Sequence, residues 1–389
     1  MRTLFRKLGG IGSSFPILLV LIALCVAGYF AITSATYLND KLVDAPISQI
    51  KYVIVAFIVF LVVALTPYRT LVGISPILYL LGVMLLAGVF LTRASHGAQS
   101  WIRLGGFSFE PAEFAKLAYI LCLAWFLRIR EKQVNHFTTV LIAWAITAVP
   151  FILVLKQPAL GTASVFFPIC FAMLFAAGAR LHHILIPIVL AAAVTVLIYY
   201  WFHVWDKPGY VTVFNRQVTF LKDFQVNRIK IFFDPSLDPQ GAGWQIDQSL
   251  IALGSGGMGG KGWKQGTETV LGYLPKNTSY NDLIFPVVGG DFGFLGAAAL
   301  IICEGTVLLW CLWVAARARD KVGALVAVGV MAMLFTHVFV NIGMTLQVVP
   351  ITGIPLPFVS YGGTFLIVCL AAMGLVQSVW VHRKNFERI

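Results

Sequence analysis

The chain has 389 residues, of which 59% are hydrophobic and 11% charged, with a formal net charge of +12. A soluble domain carries about 25% charged residues, so this chain cannot cover a water-exposed surface of its size. A soluble enzyme, a fibrous protein and a disordered chain are excluded. A β-barrel is disfavoured, because the apolar residues come in blocks near the roughly 20 that a helix needs to cross a bilayer rather than in short alternating runs.

Ten candidate spans follow in chain order, at roughly 16–36, 47–66, 71–91, 112–129, 137–155, 161–179, 184–203, 285–315, 322–344 and 364–381. The first follows Arg2, Arg6 and Lys7 and lacks a small-residue cleavage site, so it reads as a retained span. Only Lys156-Gln-Pro-Ala-Leu-Gly161 separates the fifth from the sixth, a break that predicts a polar notch facing the bundle interior. A long loop at about 204–284 precedes the eighth span. Its stretch Tyr210–Phe233 mixes Phe, Val, Ile and Leu with Arg216, Lys222, Arg228 and Lys230, which predicts a basic amphipathic helix lying on the membrane. The eighth span is too long for one crossing at about 1.5 Å per residue, and Gly289, Gly290, Asp291 and Gly293 predict a break in its first part. Between the ninth and tenth spans, Gln347–Thr364 holds Pro350, Pro355, Pro357, Gly362 and Gly363. A regular helix cannot run through it, and a loop folded into the protein is expected. The expected fold is all-α, a polytopic membrane protein of about ten transmembrane helices with a large extracytoplasmic loop between spans 7 and 8. Residues 1–389 form one integral-membrane domain.

The basic residues read as topology signals rather than as a nucleic-acid surface. With both termini in the cytoplasm, the inside segments hold Arg2, Arg6, Lys7, Arg69, Arg128, Arg130, Lys132, Arg180, Arg317, Arg319, Lys321, Arg383, Lys384 and Arg388. The short outside segments hold only Lys41, Lys51, Arg93, Arg103, Lys116 and Lys156. The six cysteines all fall in apolar runs and read as small hydrophobes without metal-ligand spacing.

Few residues carry chemistry. Gly254, Gly256 and Gly259 form a dinucleotide fingerprint in outline, but no strand precedes them. The stretch is read either as a flexible loop or as a backbone cradle for a phosphate, with Lys261 and Lys264 beside it. Asp282 stands at the start of the eighth span, either as a helix cap or as a general base at the membrane surface. Glu113 and Lys116, three apart on one helix face, form a local ion pair or line an internal cavity. Glu304 lies near mid-span and needs a partner, for which His337 and Asn341 are candidates.

Taken in order, several segments resemble the SEDS family (shape, elongation, division and sporulation), most closely its RodA branch. They are Gly97-Ala-Gln-Ser-Trp-Ile102, Pro111-Ala-Glu-Phe-Ala-Lys116, Gln157-Pro-Ala-Leu-Gly-Thr162, Asp234-Pro-Ser-Leu-Asp-Pro-Gln-Gly-Ala-Gly243, Gln248-Ser-Leu-Ile-Ala-Leu-Gly-Ser-Gly-Gly257, Gly260-Lys-Gly-Trp-Lys-Gln-Gly-Thr267 and Pro355-Leu-Pro-Phe-Val-Ser-Tyr-Gly-Gly363. The resemblance implies a ten-span peptidoglycan glycosyltransferase of the bacterial inner membrane. It would polymerise lipid II into glycan strands during elongation, beside a class B penicillin-binding protein and other membrane proteins of the elongation complex. The family's essential aspartate maps onto Asp282, its cavity pair onto Glu113 and Lys116, and its loop serine onto Ser360. Arg103, Lys116 and Lys261 are the candidate cations for the leaving diphosphate. No cofactor is evident, and a divalent cation is left open. Two departures stand out. Ala159 replaces the aspartate of the usual Gln-Pro-Asp-Leu-Gly-Thr, and Tyr280-Asn-Asp282 replaces the usual His-Thr-Asp. The rival readings are a flippase of the same lipid and a non-catalytic scaffold of the wall-synthesis complex.

Overall fold

The computed structural model describes residues 15–40, 42–91, 100–104, 107–157, 159–186, 189, 193, 197, 211–213, 216–218, 228, 230–239, 241–275 and 278–383. Most expected spans are found within one or two residues of their predicted ends; the third begins three residues early. Helices α1 (Phe15–Thr36) and α2 (Ala45–Leu65) match the first two. The third is a short α3 (Tyr68–Gly73) and α4 (Ser75–Gly88), jointed where Pro76 enters the first turn of α4. Helix α5 (Pro111–Ile129) follows a hairpin of β1 (Ile102–Leu104) and β2 (Phe107–Phe109). Then come α6 (Phe137–Lys156), α7 (Leu160–Ser164) and α8 (Phe166–Ala177). The predicted seventh span lies largely outside the described residues, with a helix evident at 181–186. The last three spans are α11 (Ile284–Ala316), α12 (Lys321–Thr345) and α13 (Gly363–His382).

Among the described residues, seven helices are long and apolar enough to cross a membrane. Their outward faces carry Ile, Val, Leu and Phe, as at Ile22, Ile54, Ile302 and Leu309. Small and polar groups lie between the helices instead. In lipid, apolar outward faces cost nothing, while every backbone donor and acceptor must be met within the protein. Pro150 illustrates this in α6. It has no N–H to give the carbonyl of Ile146, and the Tyr79 hydroxyl from α4 donates to that carbonyl at 2.7 Å.

The loop before α11 differs from expectation. The predicted amphipathic helix over 210–233 is absent at its start, where β3 (Val211–Val213) pairs antiparallel with β4 (Arg216–Val218). The residues in register are Val and Thr opposite Val, Gln and Arg, and the β-branched types favour a hairpin over a helix. Residues 228 and 230–233 are helical. Helices α9 (Ala242–Ser255) and α10 (Thr267–Val270) complete the described loop.

The Gly-rich stretch, expected as a flexible loop or a phosphate cradle, packs against α11. It is the seat for the break in α11. Gly293 takes φ 65°, ψ −163°, a backbone open to glycine alone. A Cβ there would lie 2.3 Å from the Gly260 nitrogen. The amides released by the break are taken up at once: Phe294 N–H donates to Gly257 O at 2.8 Å and Leu295 N–H to Met258 O at 3.1 Å. In return Lys261 N–H donates to Gly290 O and Gly262 N–H to Asp291 O. The Asp291 carboxylate accepts from Gly266 N–H at 2.9 Å. The stretch therefore spends its amides on α11, and Lys261 itself is exposed beside it.

Two ends of the bundle carry polar clusters. At one, Asp320 caps α12 through Gly323 N–H at 2.8 Å and accepts from Tyr68 Oη at 2.9 Å and from Arg69. Lys321 pairs with Glu131 nearby. These groups come from segments that the charge pattern assigns to one face of the membrane. The other end holds Asp282.

Candidate functional site

The loop between α12 and α13 is folded into the protein, as its Pro and Gly content predicts. Ile354, Leu356, Phe358 and Val359 are fully buried. Such a loop must have its backbone satisfied, and it does so by gripping the residues ahead of α11. Ser360 Oγ donates to Asn281 O at 2.6 Å and accepts from Leu356 N–H at 2.8 Å. Tyr361 N–H donates to Tyr280 O at 3.0 Å, with the two rings edge to face. From α12, the Asn341 amide donates to Asp282 O at 2.9 Å and Ile354 O at 2.7 Å. Every backbone carbonyl from Tyr280 to Asp282 is thereby fixed. Ser360 ties Asn281 and Leu356 together through its hydroxyl.

The Asp282 carboxylate is held but not capped. It does not cap α11, whose first flanking residue is Leu283. Its Oδ2 faces Gly353, where φ is 72° and a Cβ would come within 3.1 Å. Burial pushes Asp282 up to about 6, and the Arg228 guanidinium pulls against that shift. Arg228 Nη1 donates to Thr352 O at 3.2 Å, which anchors it to the same loop.

Helix α5 brings the other charges. Lys116 Nζ donates to Glu113 Oε1 at 2.8 Å, and both side chains are buried. The same ammonium lies 2.8 Å from His337 Nε2 of α12. A lysine has no acceptor to offer, so Nε2 accepts, and Nδ1–H is left to donate to Pro355 O at 3.3 Å. The ion pair expected from the sequence is real, and it also lines the interior. Lys116 is fully enclosed, however, so it supplies charge to the site rather than a surface for direct contact. Glu110, one residue ahead of α5, senses both Glu113 and Asp282. Burial first and Glu113 next push it up to about 8, with Lys116 opposing and Asp282 adding a little. Both carboxyls are thus pushed up, Glu110 further than Asp282.

The remaining expectations divide. Arg103 lies in β1, its backbone paired with Ser108, and its side chain is outside the described residues. The hairpin is docked by Thr364 Oγ1, which donates to Ser108 O at 2.8 Å. Ala159 opens α7, half-buried. Two residues on, Gly161 presses against Thr352 and Ile354, where a Cβ would meet the Thr352 carbonyl at 2.8 Å. The notch at Gln157–Gly161 therefore backs onto the loop that holds Asp282 and Arg228. Gln157 is buried and donates to Leu86 O at 2.8 Å, as a polar notch requires. Glu304 does not meet His337 or Asn341, which are occupied elsewhere. It is buried near Cys25 and Cys369, and its Oε1 has no hydrogen-bond partner among the described residues. Arg228 and Glu110 were missed as site residues from sequence. Glu110 had a signal in its i,i+3 spacing to Glu113, and Arg228 had none that set it apart from its basic neighbours. Among the described residues no cluster of His, Cys, Asp and Glu is arranged to hold a metal ion.

Fold and site together define a polytopic all-α membrane protein with a fixed acid–base cluster at one end of its helix bundle. Residues 15–385 match the profile of the FtsW/RodA/SpoVE cell cycle proteins, and the chain belongs to that family. It is 37% identical over 372 residues to the peptidoglycan glycosyltransferase MrdB of Escherichia coli K12, covering 95% of this chain and 94% of that one. It is 31% identical to the peptidoglycan glycosyltransferase RodA of Treponema pallidum, covering 94% and 96%. Among solved structures, one from work on coordinated polymerisation and crosslinking by a peptidoglycan synthase complex matches with a TM-score of 0.76, at 26% identity over 95% of this chain and 98% of that one. The rod shape determining protein RodA of Thermus thermophilus matches in fold, with a TM-score of 0.66 at 23% identity, over 95% and 97%.

Proposed function

We propose that the chain is a peptidoglycan glycosyltransferase that polymerises lipid II during cell elongation, with Asp282 as general base. The carrying observation is the convergence of Asp282, Arg228, Glu110 and the Glu113–Lys116 pair from separate segments at one end of the bundle. The reaction is attack of the GlcNAc 4-hydroxyl of one molecule on C1 of the MurNAc of another or of the growing strand. The C1–oxygen bond to undecaprenyl diphosphate breaks, the new glycosidic bond forms, and the hydroxyl proton passes to Asp282. A base that titrates near 6 is ionised at neutral pH and still basic enough to accept that proton.

Arg228 is the cation best placed to balance charge growing on the diphosphate, and Lys116 adds positive potential from behind. The upward push on Glu110 lessens the charge it sets against them. Loss of solvent at the site strengthens each of these terms. The site lies at the membrane face opposite the Arg69–Asp320 end. With the termini in the cytoplasm of an inner-membrane protein, the site opens outward, where a membrane-anchored saccharide is presented. A class B penicillin-binding protein is the proposed partner, supported by the likeness to a synthase complex that couples polymerisation to crosslinking.

The test is purified protein with labelled lipid II, with and without that partner. Asp282→Asn is expected to cut strand formation by about 10²–10⁴, the usual worth of one positioned base. Polymerisation at the parental rate would sink the assignment. Movement of lipid II between leaflets without strands would point to a flippase, and neither activity to a scaffold.

A further inference from the structure

At the end of the bundle that carries Arg69 and Asp320, two arginines converge without a carboxylate partner among the described residues. Arg317 follows α11 and Arg383 follows α13. Each lies over a tryptophan of its own helix, Arg317 on Trp313 and Arg383 on Trp380. The tryptophans bind the two helix ends together. Trp313 and Trp380 ring centroids are 4.4 Å apart, and Trp310 lies 4.9 Å from Trp313 and 5.6 Å from Trp380. Burial and the nearby Arg317 charge lower the pKa of Arg383. Among the described residues no ion pair joins either guanidinium, because Asp320 is taken by Arg69 and Glu131 by Lys321.

The cluster is rich in donors and poor in acceptors. Two guanidiniums offer up to five N–H groups each. Arg383 gives one bond to Trp380 O. The Trp310 indole N–H is buried and meets no acceptor among the described residues. Two like charges held together, beside an unmet donor, call for an anion. Trp310 precedes Arg317 by two helical turns, about 10 Å along the axis. Leu309 and Leu312 on the same stretch are exposed and apolar. The cation thus stands at the helix end, and the apolar wall runs inward from it past the level of Trp310, from Leu312 to Leu309, as acyl chains run inward from the phosphate of a phospholipid.

We propose that Arg317, Arg383 and the Trp310–Trp313–Trp380 cluster form a binding site for an acidic phospholipid. Its phosphate sits between the guanidiniums, an ester carbonyl accepts from the Trp310 indole, and its acyl chains lie along Leu309 and Leu312. The site is remote from Asp282 and stands whether or not the polymerase reading does.

The test is thermal unfolding of the full chain in phosphatidylcholine micelles titrated with phosphatidylglycerol. A saturable rise in Tm is expected. The phosphatidylglycerol needed for half the rise should grow about fivefold in Arg317→Gln and about 25-fold with Arg383→Gln added, from the usual worth of a cation near an anionic lipid surface. Trp310→Phe, which keeps the ring and removes only the N–H, should weaken the response by a smaller factor. If these variants respond to phosphatidylglycerol as the parent does, the site does not exist. If the double variant does not fold, Arg317→Gln and Trp310→Phe alone decide by the same criterion. Inorganic phosphate added to phosphatidylcholine micelles should leave Tm unchanged. An equal rise with phosphate would overturn the lipid assignment in favour of a free-anion site.

Discussion

Asp282 and Asp320 are the same residue type at opposite ends of one bundle, and they titrate in opposite directions. Asp320 is partly open to solvent. Its backbone bond to Gly323 and its bonds from Tyr68 and Arg69 outweigh burial and hold it below the usual carboxylate range. Asp282 has its backbone bound, while its carboxylate accepts from no protein donor among the described residues, and burial raises it to about 6. One carboxylate is spent on structure. The other is kept available, and its backbone rather than its side chain is what the fold secures. This separation of support from reactivity is what a general base needs.

That contrast can be broken from either end. The largest effect is expected at the reactive end: Asp282→Asn should raise rather than lower the Tm of the purified protein at neutral pH, because it removes a buried charge, while abolishing most strand synthesis, as above. A large loss of Tm would make Asp282 a structural residue like Asp320. Next comes the buried pair behind it. Lys116→Met strands the Glu113 carboxylate and should cost about 3–5 kcal/mol, whereas Lys116→Met with Glu113→Leu should recover much of that loss. Unfolding of both variants by denaturant in detergent measures this, and equal losses would show that the pair is not coupled.

At the other end, Asp320→Ala removes a helix cap and an exposed ion pair. It should cost about 1–2 kcal/mol, with strand synthesis per folded molecule unchanged.

The pH dependences should also oppose one another. A raised pKa means that the folded state binds the proton more tightly. Asp282 therefore contributes stability below about pH 4, and that contribution is lost as the pH rises through about 6. Asp320, with its depressed pKa, contributes stability above the same unfolded value and loses it as the pH falls further. Activity needs the ionised base, so its acid limb should lie near pH 6. Arg228→Gln removes the charge that opposes the upward shift, and should move that limb to higher pH. A limb that stays in place in Arg228→Gln would separate Arg228 from the base.

The smallest effect is expected at the notch. Ala159→Asp places a carboxylate beside the Thr352 loop, and strand synthesis should change by no more than about fivefold, the scale of an exposed charge pair. A much larger gain would show that the site is incomplete without a carboxylate there.

Much of this architecture was legible in the sequence. Span positions, the break in the eighth span and the folded-in Pro/Gly loop all follow from local rules, because hydrocarbon thickness fixes the length of an apolar helix and Pro and Gly interrupt it wherever they stand. The Glu113–Lys116 pair follows from helical spacing alone, and Asp282 from the family motif around it. What only the tertiary structure decided is who faces whom. Arg228 comes 54 positions before Asp282 in the chain, and His337 reaches Lys116 rather than Glu304. The Gly-rich stretch gives the Lys261 and Gly262 amides to α11. Those pairings depend on helix rotation and on the close approach of backbones at Gly161, Gly260 and Gly293. In lipid, small residues and satisfied polar atoms set that packing, and a one-dimensional pattern of hydropathy carries no record of which neighbour each of them meets.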